Sequence, residues 1–152
     1  MAAGSHNRGR VVSVWTQNPE VSQHVARACR IPSIAMHMED LIGKTDAILL
    51  ARDDAENHLE HARPFLDEGL PVYIDKPFAT SIADFESLYA HERFAGQIFT
   101  CSALRYSEDW APTAQDWALI GELRHVHAVT PKSWRKYAVH IIEPVLKLLA
   151  SR

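Results

Sequence analysis

Short apolar runs alternate with longer amphipathic stretches along most of this chain. Val11-Val12-Ser13-Val14-Trp15, Ala47-Ile48-Leu49-Leu50-Ala51, Pro71-Val72-Tyr73-Ile74 and Gln97-Ile98-Phe99-Thr100-Cys101 are strand-length and apolar. The Ala47–Ala51 and Pro71–Ile74 runs predict strands buried on both faces, as in the interior of a parallel sheet, and the other two predict strands beside them. Between them lie helical patterns. Asn18-Pro19-Glu20 reads as an N-cap, a proline at the first helical position and a first-turn acid, and Val21, Val25, Ala26 and Cys29 share a face. Ile31-Pro32 breaks the chain, and Met38 to Ile42 predicts a helical turn stopped by Gly43. A helix from Asp54 to Glu68 turns Leu59, Ala62, Phe65 and Leu66 inward, with Pro64 as a kink or split and Gly69 as its stop. Thr80 or Ser81 opens a helix that buries Phe85 and Leu88. Strand and helix thus alternate as in βαβ units.

The pattern changes after Ser102. Ser107 to Ile120 predicts one amphipathic helix with Trp110, Ala114, Trp117 and Ala118 on its apolar side, ended by Gly121. Leu123 to Thr130 alternates and predicts a half-buried antiparallel strand. Val139 to Leu149 predicts a last helix with a kink at Pro144. The fold class is therefore α/β: a parallel sheet with crossover helices over residues 1–103, followed by the start of an α+β domain over 104–152.

Bulk properties narrow the function. The chain has 152 residues, 47% hydrophobic, and a net charge of −3 with its nine histidines neutral. That is one ordinary domain's worth of chain with a core, and no basic footprint for nucleic acid. Its two cysteines, Cys29 and Cys101, have no metal-motif spacing and suit a reducing, cytoplasmic setting. No apolar run is long enough for a membrane span, and Met1 to Arg10 lacks the apolar core of a secretory signal.

Candidate chemistry centres on Lys76. It follows the Pro71–Ile74 strand, and Pro77 cannot extend the ladder, so Lys76 stands at a strand's carboxyl end, where open α/β folds bind ligands. A lysine there can hold a negative charge or hydrogen-bond a substrate hydroxyl. Asp53-Asp54 reads as a cap and first-turn acid, and His58 with His61, like His125 with His127, as surface histidines. Trp110 and Trp117 read as core or interface, and Lys132, Arg135 and Lys136 beside Trp134 as a basic patch.

Together the order of elements, Asp75-Lys76-Pro77 at a strand end, and Tyr137-Ala138-Val139-His140-Ile141-Ile142-Glu143 on a later helix resemble the Gfo/Idh/MocA oxidoreductases. The family's marks are Glu-Lys-Pro at a Rossmann strand end and a histidine on a helix of the second domain. The resemblance implies an NAD(P)-dependent oxidoreductase acting on a sugar, cyclitol or similar polyol hydroxyl. It implies that Lys76 meets both the hydroxyl and the nicotinamide, and that His140 is the acid/base. It adds Thr16 and Pro77 as cofactor contacts and Arg105, Lys136 and Tyr137 as substrate contacts, with Ser102 also at the cleft and no metal site.

The sequence departs from the family pattern in places. No G-x-G-x-x-G follows a strand, and Met1-Ala2-Ala3-Gly4-Ser5-His6 offers one glycine without one. Val11–Trp15 aligns with the family's second strand, so the first Rossmann βα unit and most of the C-terminal sheet are expected to be missing. Thr16 stands where an acid would bind the adenosine ribose, which would admit NADP beside NAD. Lys136 stands four residues before the histidine, where many members carry Asp, and Glu143 three after it. Two readings stay open: a polyol dehydrogenase with weakened cofactor affinity, or a non-catalytic binding or oligomerisation module that has lost the pyrophosphate site. Either is expected to self-associate, with the Trp-bearing helix as a candidate contact.

Overall fold

The computed structural model describes residues 9–150; Gly4 and the rest of the small polar start before Gly9 lie outside the described residues. The chain divides into two compact units, one through Asp46 and one from Ala47 onward, so both sides of the 103/104 boundary lie in the second. No helix of the described residues is long and apolar enough to cross a membrane.

The first unit is a small βαβ. Strand β1 (Ser13–Val14) pairs in parallel with β2 (Ser33–Ile34), and helix α1 (Pro19–Cys29) connects them. Asn18 caps α1 as its sequence predicts, its side-chain oxygen accepting from the Glu20 N–H at 2.9 Å. The buried face is Ser22 and Ala26; Val21 and Cys29, expected inside, are exposed. Strand β2 was not legible, since a two-residue strand after Pro32 carries no periodic signal. Met38–Leu41 forms the expected turn, as 3-10 helix.

The second unit holds a three-stranded parallel sheet in the order β3 (Ile48–Leu50), β4 (Val72–Ile74), β5 (Ile98–Phe99). Helix α2 (His58–Asp67) links β3 to β4, and α3 (Ile82–Ala90) links β4 to β5. Val72, Ile74, Leu66, Phe65 and Leu88 form the core on the helix-covered face. The expectation of strands buried on both faces fails here. Leu49 pairs with Tyr73, and Tyr73 with Phe99, in register on the other face; Leu49 is 67% exposed and Phe99 49%.

Other expectations are corrected locally. The helix expected from Asp54 begins as a 3-10 turn, Ala55–Asn57, before α2. Its inward face runs through His58, His61, Ala62, Phe65 and Leu66, so the two histidines are buried rather than on the surface. Helix α2 passes Pro64 unbroken, because buried Phe65 and Leu66 on one side and Ala62 on the other anchor it across the lost hydrogen bond. Gly69, at φ +79°, supplies the left-handed stop after α2 that the sequence predicts, with Leu70 N–H donating to Phe65 O at 2.9 Å. Ser81 caps α3 as expected, but Phe85 is 48% exposed and packs at the surface against Phe78 and Tyr89.

After β5 the chain forms two short 3-10 turns, Ala103–Tyr106 and Glu108–Trp110, then α4 (Ala114–Ile120). The single helix expected over Ser107–Ile120 is split because Pro112 keeps Ala111 out of helical dihedrals (φ −123°, ψ 76°). Thr113 recaps the chain in a capping box with Asp116, and Gly121, φ +70°, ends α4 as expected. Ala114 and Ala118, expected on the apolar side, are exposed, with Trp110 and Trp117 half-buried. Leu123–Thr130 is not a strand: an alternating pattern becomes one only with a neighbour to pair with, and no described strand pairs with it. His125 and His127 are exposed, as expected. Helix α5 (Trp134–Tyr137) leads into α6 (Val139–Ala150), which carries buried Pro144 without a break.

Candidate functional site

Strand β4 lies between β3 and β5, and its ladder extends one residue further, Asp75 N–H donating to Leu50 O at 3.0 Å. Lys76 is the next residue, and the Lys76–Pro77 peptide is cis. The Lys76 Nζ lies 3.2 Å from Asp75 Oδ2 and 5.6 Å from the Tyr137 ring centroid. A buried histidine braces this turn. His58 places Nδ1 3.1 Å from Phe78 O, after β4, and Nε2 3.2 Å from Arg52 O, after β3. One imidazole thus lies against a carbonyl of each loop at the sheet's carboxyl edge, and a neutral ring donates its single N–H to one of the two.

Helix α5 reaches the same edge through its basic residues. Lys136 Nζ donates to Asp53 O at 3.0 Å and Arg135 Nη2 to Thr80 O at 3.2 Å. These tethers, one to each loop, bring Tyr137 against Lys76. Lys132 lies over the same ring, 5.1 Å from its centroid. One turn on, His140 packs its ring 5.9 Å from that of Tyr137.

Behind His140 is a polar set built around buried Ser102. Its Nδ1 is 2.7 Å from Ser102 Oγ, and Ser102 N–H donates to Glu143 Oε2 at 2.5 Å. Ser102 also caps the turn after β5, its Oγ accepting from Leu104 N–H at 3.2 Å. Glu143 Oε1 faces Arg105 Nη1 at 3.9 Å. His140 and Glu143 are three apart on α6, so one helix face presents both.

Two groups near this edge have displaced acidities. Burial, then the neighbouring Cys101 thiol and Asp75, push the Tyr73 phenol up; its hydroxyl donates to Cys101 O at 3.2 Å. The Arg52 guanidinium holds the Asp54 carboxyl well below the usual carboxylate range, helped by Asn57. Asp54, expected as the first-turn acid after an Asp53 cap, takes the cap position itself, and its carboxylate goes to these side chains and not to a helix N–H.

The sequence profile of the oxidoreductase family with an NAD-binding Rossmann fold, Gfo/Idh/MocA, matches residues 2–102. The chain belongs to this family. A protein of Amycolatopsis mediterranei assigned as a UDP-kanosamine synthase oxidoreductase subunit is 29% identical over 121 residues, covering 80% of this chain and 34% of that one. The fold is similar to a Gfo/Idh/MocA oxidoreductase from Vibrio cholerae (TM-score 0.56, 23% identity, 69% of this chain and 34% of that one). It is also similar to myo-inositol 2-dehydrogenase from Lactobacillus plantarum (TM-score 0.56, 14% identity, 67% of this chain and 31% of that one). The chain thus spans about a third of the length of these relatives.

Within this Gfo/Idh/MocA chain, Lys76, Pro77, Tyr137 and His140 come together. Arg105 stands at the rim through Glu143, and the Lys136 ammonium is engaged with the Asp53 carbonyl. Thr16 belongs to the other unit, where its hydroxyl donates to Asn18 O at 2.7 Å and lies 2.8 Å from Ser22 Oγ. Ser102 was expected only at the cleft, and its pairing with His140 was missed; the His140–Glu143 spacing is the one sequence signal that pointed behind the histidine. An ammonium, a phenol and an imidazole fit the reactive end of a nicotinamide and an alcohol. For the pyrophosphate, no Gly-rich turn is written in the sequence.

Proposed function

We propose that this chain carries the hydroxyl-facing part of an NAD(P)-dependent dehydrogenase site for a secondary alcohol of a sugar, cyclitol or related polyol. The observation that carries the reading is the gathering of Lys76, Tyr137 and His140 beyond the carboxyl end of β4. The relative named for UDP-kanosamine, a nucleotide sugar, supports the substrate class. A nicotinamide held at this edge would supply the hydride acceptor for the carbinol carbon. Lys76 hydrogen-bonds the hydroxyl oxygen and stabilises alkoxide character on it. The hydroxyl proton leaves as its carbon loses hydride, and His140 is the group that exchanges it. Tyr137, Lys136 and Arg105 contact the remaining hydroxyls, and Pro77 lines the cofactor side. In this reading residues 1–103 form the dinucleotide-binding part, 104–152 open the second domain, and the protein works in the cytoplasm as a homo-oligomer.

Titration with NADH and NADPH, followed by assay of NAD(P)⁺ reduction against cyclitols, aldoses and UDP-sugars, tests this. The expected result is binding weaker than micromolar with polyol-dependent turnover that needs Lys76. No turnover at saturating cofactor and polyol overturns the dehydrogenase reading and leaves a binding module.

A further inference from the structure

A serine hydroxyl 2.7 Å from an imidazole nitrogen is also the geometry of an activated nucleophile. Ser102 is 0% exposed, so no substrate carbon reaches its oxygen, and the pair must act through the ring. The donor and acceptor inventory around Oγ decides how. The Leu104 N–H already donates to Oγ. The only acceptor within reach of the Ser102 hydroxyl hydrogen, among the described residues, is His140 Nδ1. A buried hydroxyl that leaves its hydrogen unpaired forfeits about 1–3 kcal/mol. The hydroxyl therefore donates to Nδ1, which must be unprotonated when the ring is neutral. The neutral ring then carries its hydrogen on Nε2. That nitrogen has no hydrogen-bond partner among the described residues and is not buried, since no buried side-chain nitrogen or oxygen there lacks a partner.

We propose that Ser102 is a positioning residue that fixes the tautomer of His140, so that neutral His140 meets the substrate oxygen as an Nε2–H donor. This deepens the dehydrogenase reading above and rests on it only for what the donor faces. A fixed Nε2–H suits a hydrogen bond to a carbonyl oxygen; delivering a proton in ketone reduction takes the doubly protonated ring, whose Nδ1–H donates to Ser102 Oγ and which returns to the neutral ring on giving up the Nε2 proton. Taking a proton from an alcohol at Nε2 requires the opposite tautomer, with Nδ1–H donating to Ser102 Oγ, so the rotation of one buried hydroxyl gates that direction. Glu143 anchors the serine by accepting its backbone N–H, and helix α6 holds Glu143 and His140 together.

The test is the nitrogen NMR of His140 in the whole chain, isotopically labelled and held where the ring is neutral. The expected spectrum shows Nδ1 unprotonated and accepting a hydrogen bond, with Nε2 protonated. In Ser102→Ala the share of the Nδ1–H tautomer rises about fivefold, the weight of one hydrogen bond, and Ser102→Thr restores the parent spectrum. A dominant Nδ1–H tautomer in the parent chain overturns the proposal whether or not any variant folds. An unchanged ratio in a folded Ser102→Ala overturns it as well. Neither outcome depends on turnover, so failure of the dehydrogenase reading and failure of the tautomer assignment are distinguishable.

Discussion

Lys76 stands between a carboxylate and an aromatic face, with Asp75 Oδ2 at 3.2 Å and the Tyr137 centroid at 5.6 Å from Nζ. On the function proposed, Lys76→Ala lowers kcat/KM for polyol oxidation by about 10²–10⁴-fold, read from nicotinamide absorbance. Lys76→Arg fails to restore it, because a planar fork does not replace a compact ammonium. A full rate in Lys76→Ala would remove the lysine from the chemistry. Asp54 makes a second prediction at this scale. Its acidity is strengthened in the folded state by Arg52, so it stabilises the fold above the ordinary carboxylate range. That contribution, about 1 kcal/mol after solvent screening, is lost as pH falls below about 4. Urea unfolding at about pH 6 and about pH 3 should show a smaller stability difference in Asp54→Asn than in the parent chain.

Helix ends and helix faces behave unequally. The Ser81 hydroxyl accepts from the Asp84 N–H at 3.1 Å and donates to its carboxylate at 2.6 Å, opening the connection from the lysine strand to β5. Ser81→Ala should cost about 1 kcal/mol, seen as a lower urea midpoint at unchanged slope. Phe65 on α2 and Phe85 on α3 are both apolar positions of helical patterns, yet the first is 1% exposed and the second 48%. Phe65→Ala should cost about 3–5 kcal/mol, and Phe85→Ala far less; equal losses in chemical denaturation would contradict the burial. The caps at Asn18 and Ser81 and the stops at Gly69 and Gly121 were legible because they rest on local dihedrals and a few neighbouring residues. Leu123–Thr130 was misread because strand formation needs a partner elsewhere in the chain.

For the molecule as a whole, the uncovered side of the three-stranded sheet is the largest departure from expectation. Leu49, Tyr73 and Phe99 line it in register, with Leu49 67% exposed. Parallel sheets are stable with both faces covered, and a second copy offers an apolar face of the same kind. Light scattering should give a mass above 17.1 kDa that rises with concentration, and Leu49→Lys should lower it; a clean monomer at high concentration would contradict self-association. The sequence by itself determined the alternation of strands and helices, the caps, the family and the place of Lys76 at a strand end. Each of these is set by residues near in the chain, by apolar periodicity and by backbone sterics. Only the tertiary structure decided which face of the sheet is buried, that His58 lies against two loops, and that Ser102 backs His140. Residues 102 and 140 meet because α6 packs against the 3-10 turn Ala103–Tyr106 that Ser102 caps, and a hydrogen bond across that distance in chain leaves no periodic trace in the sequence.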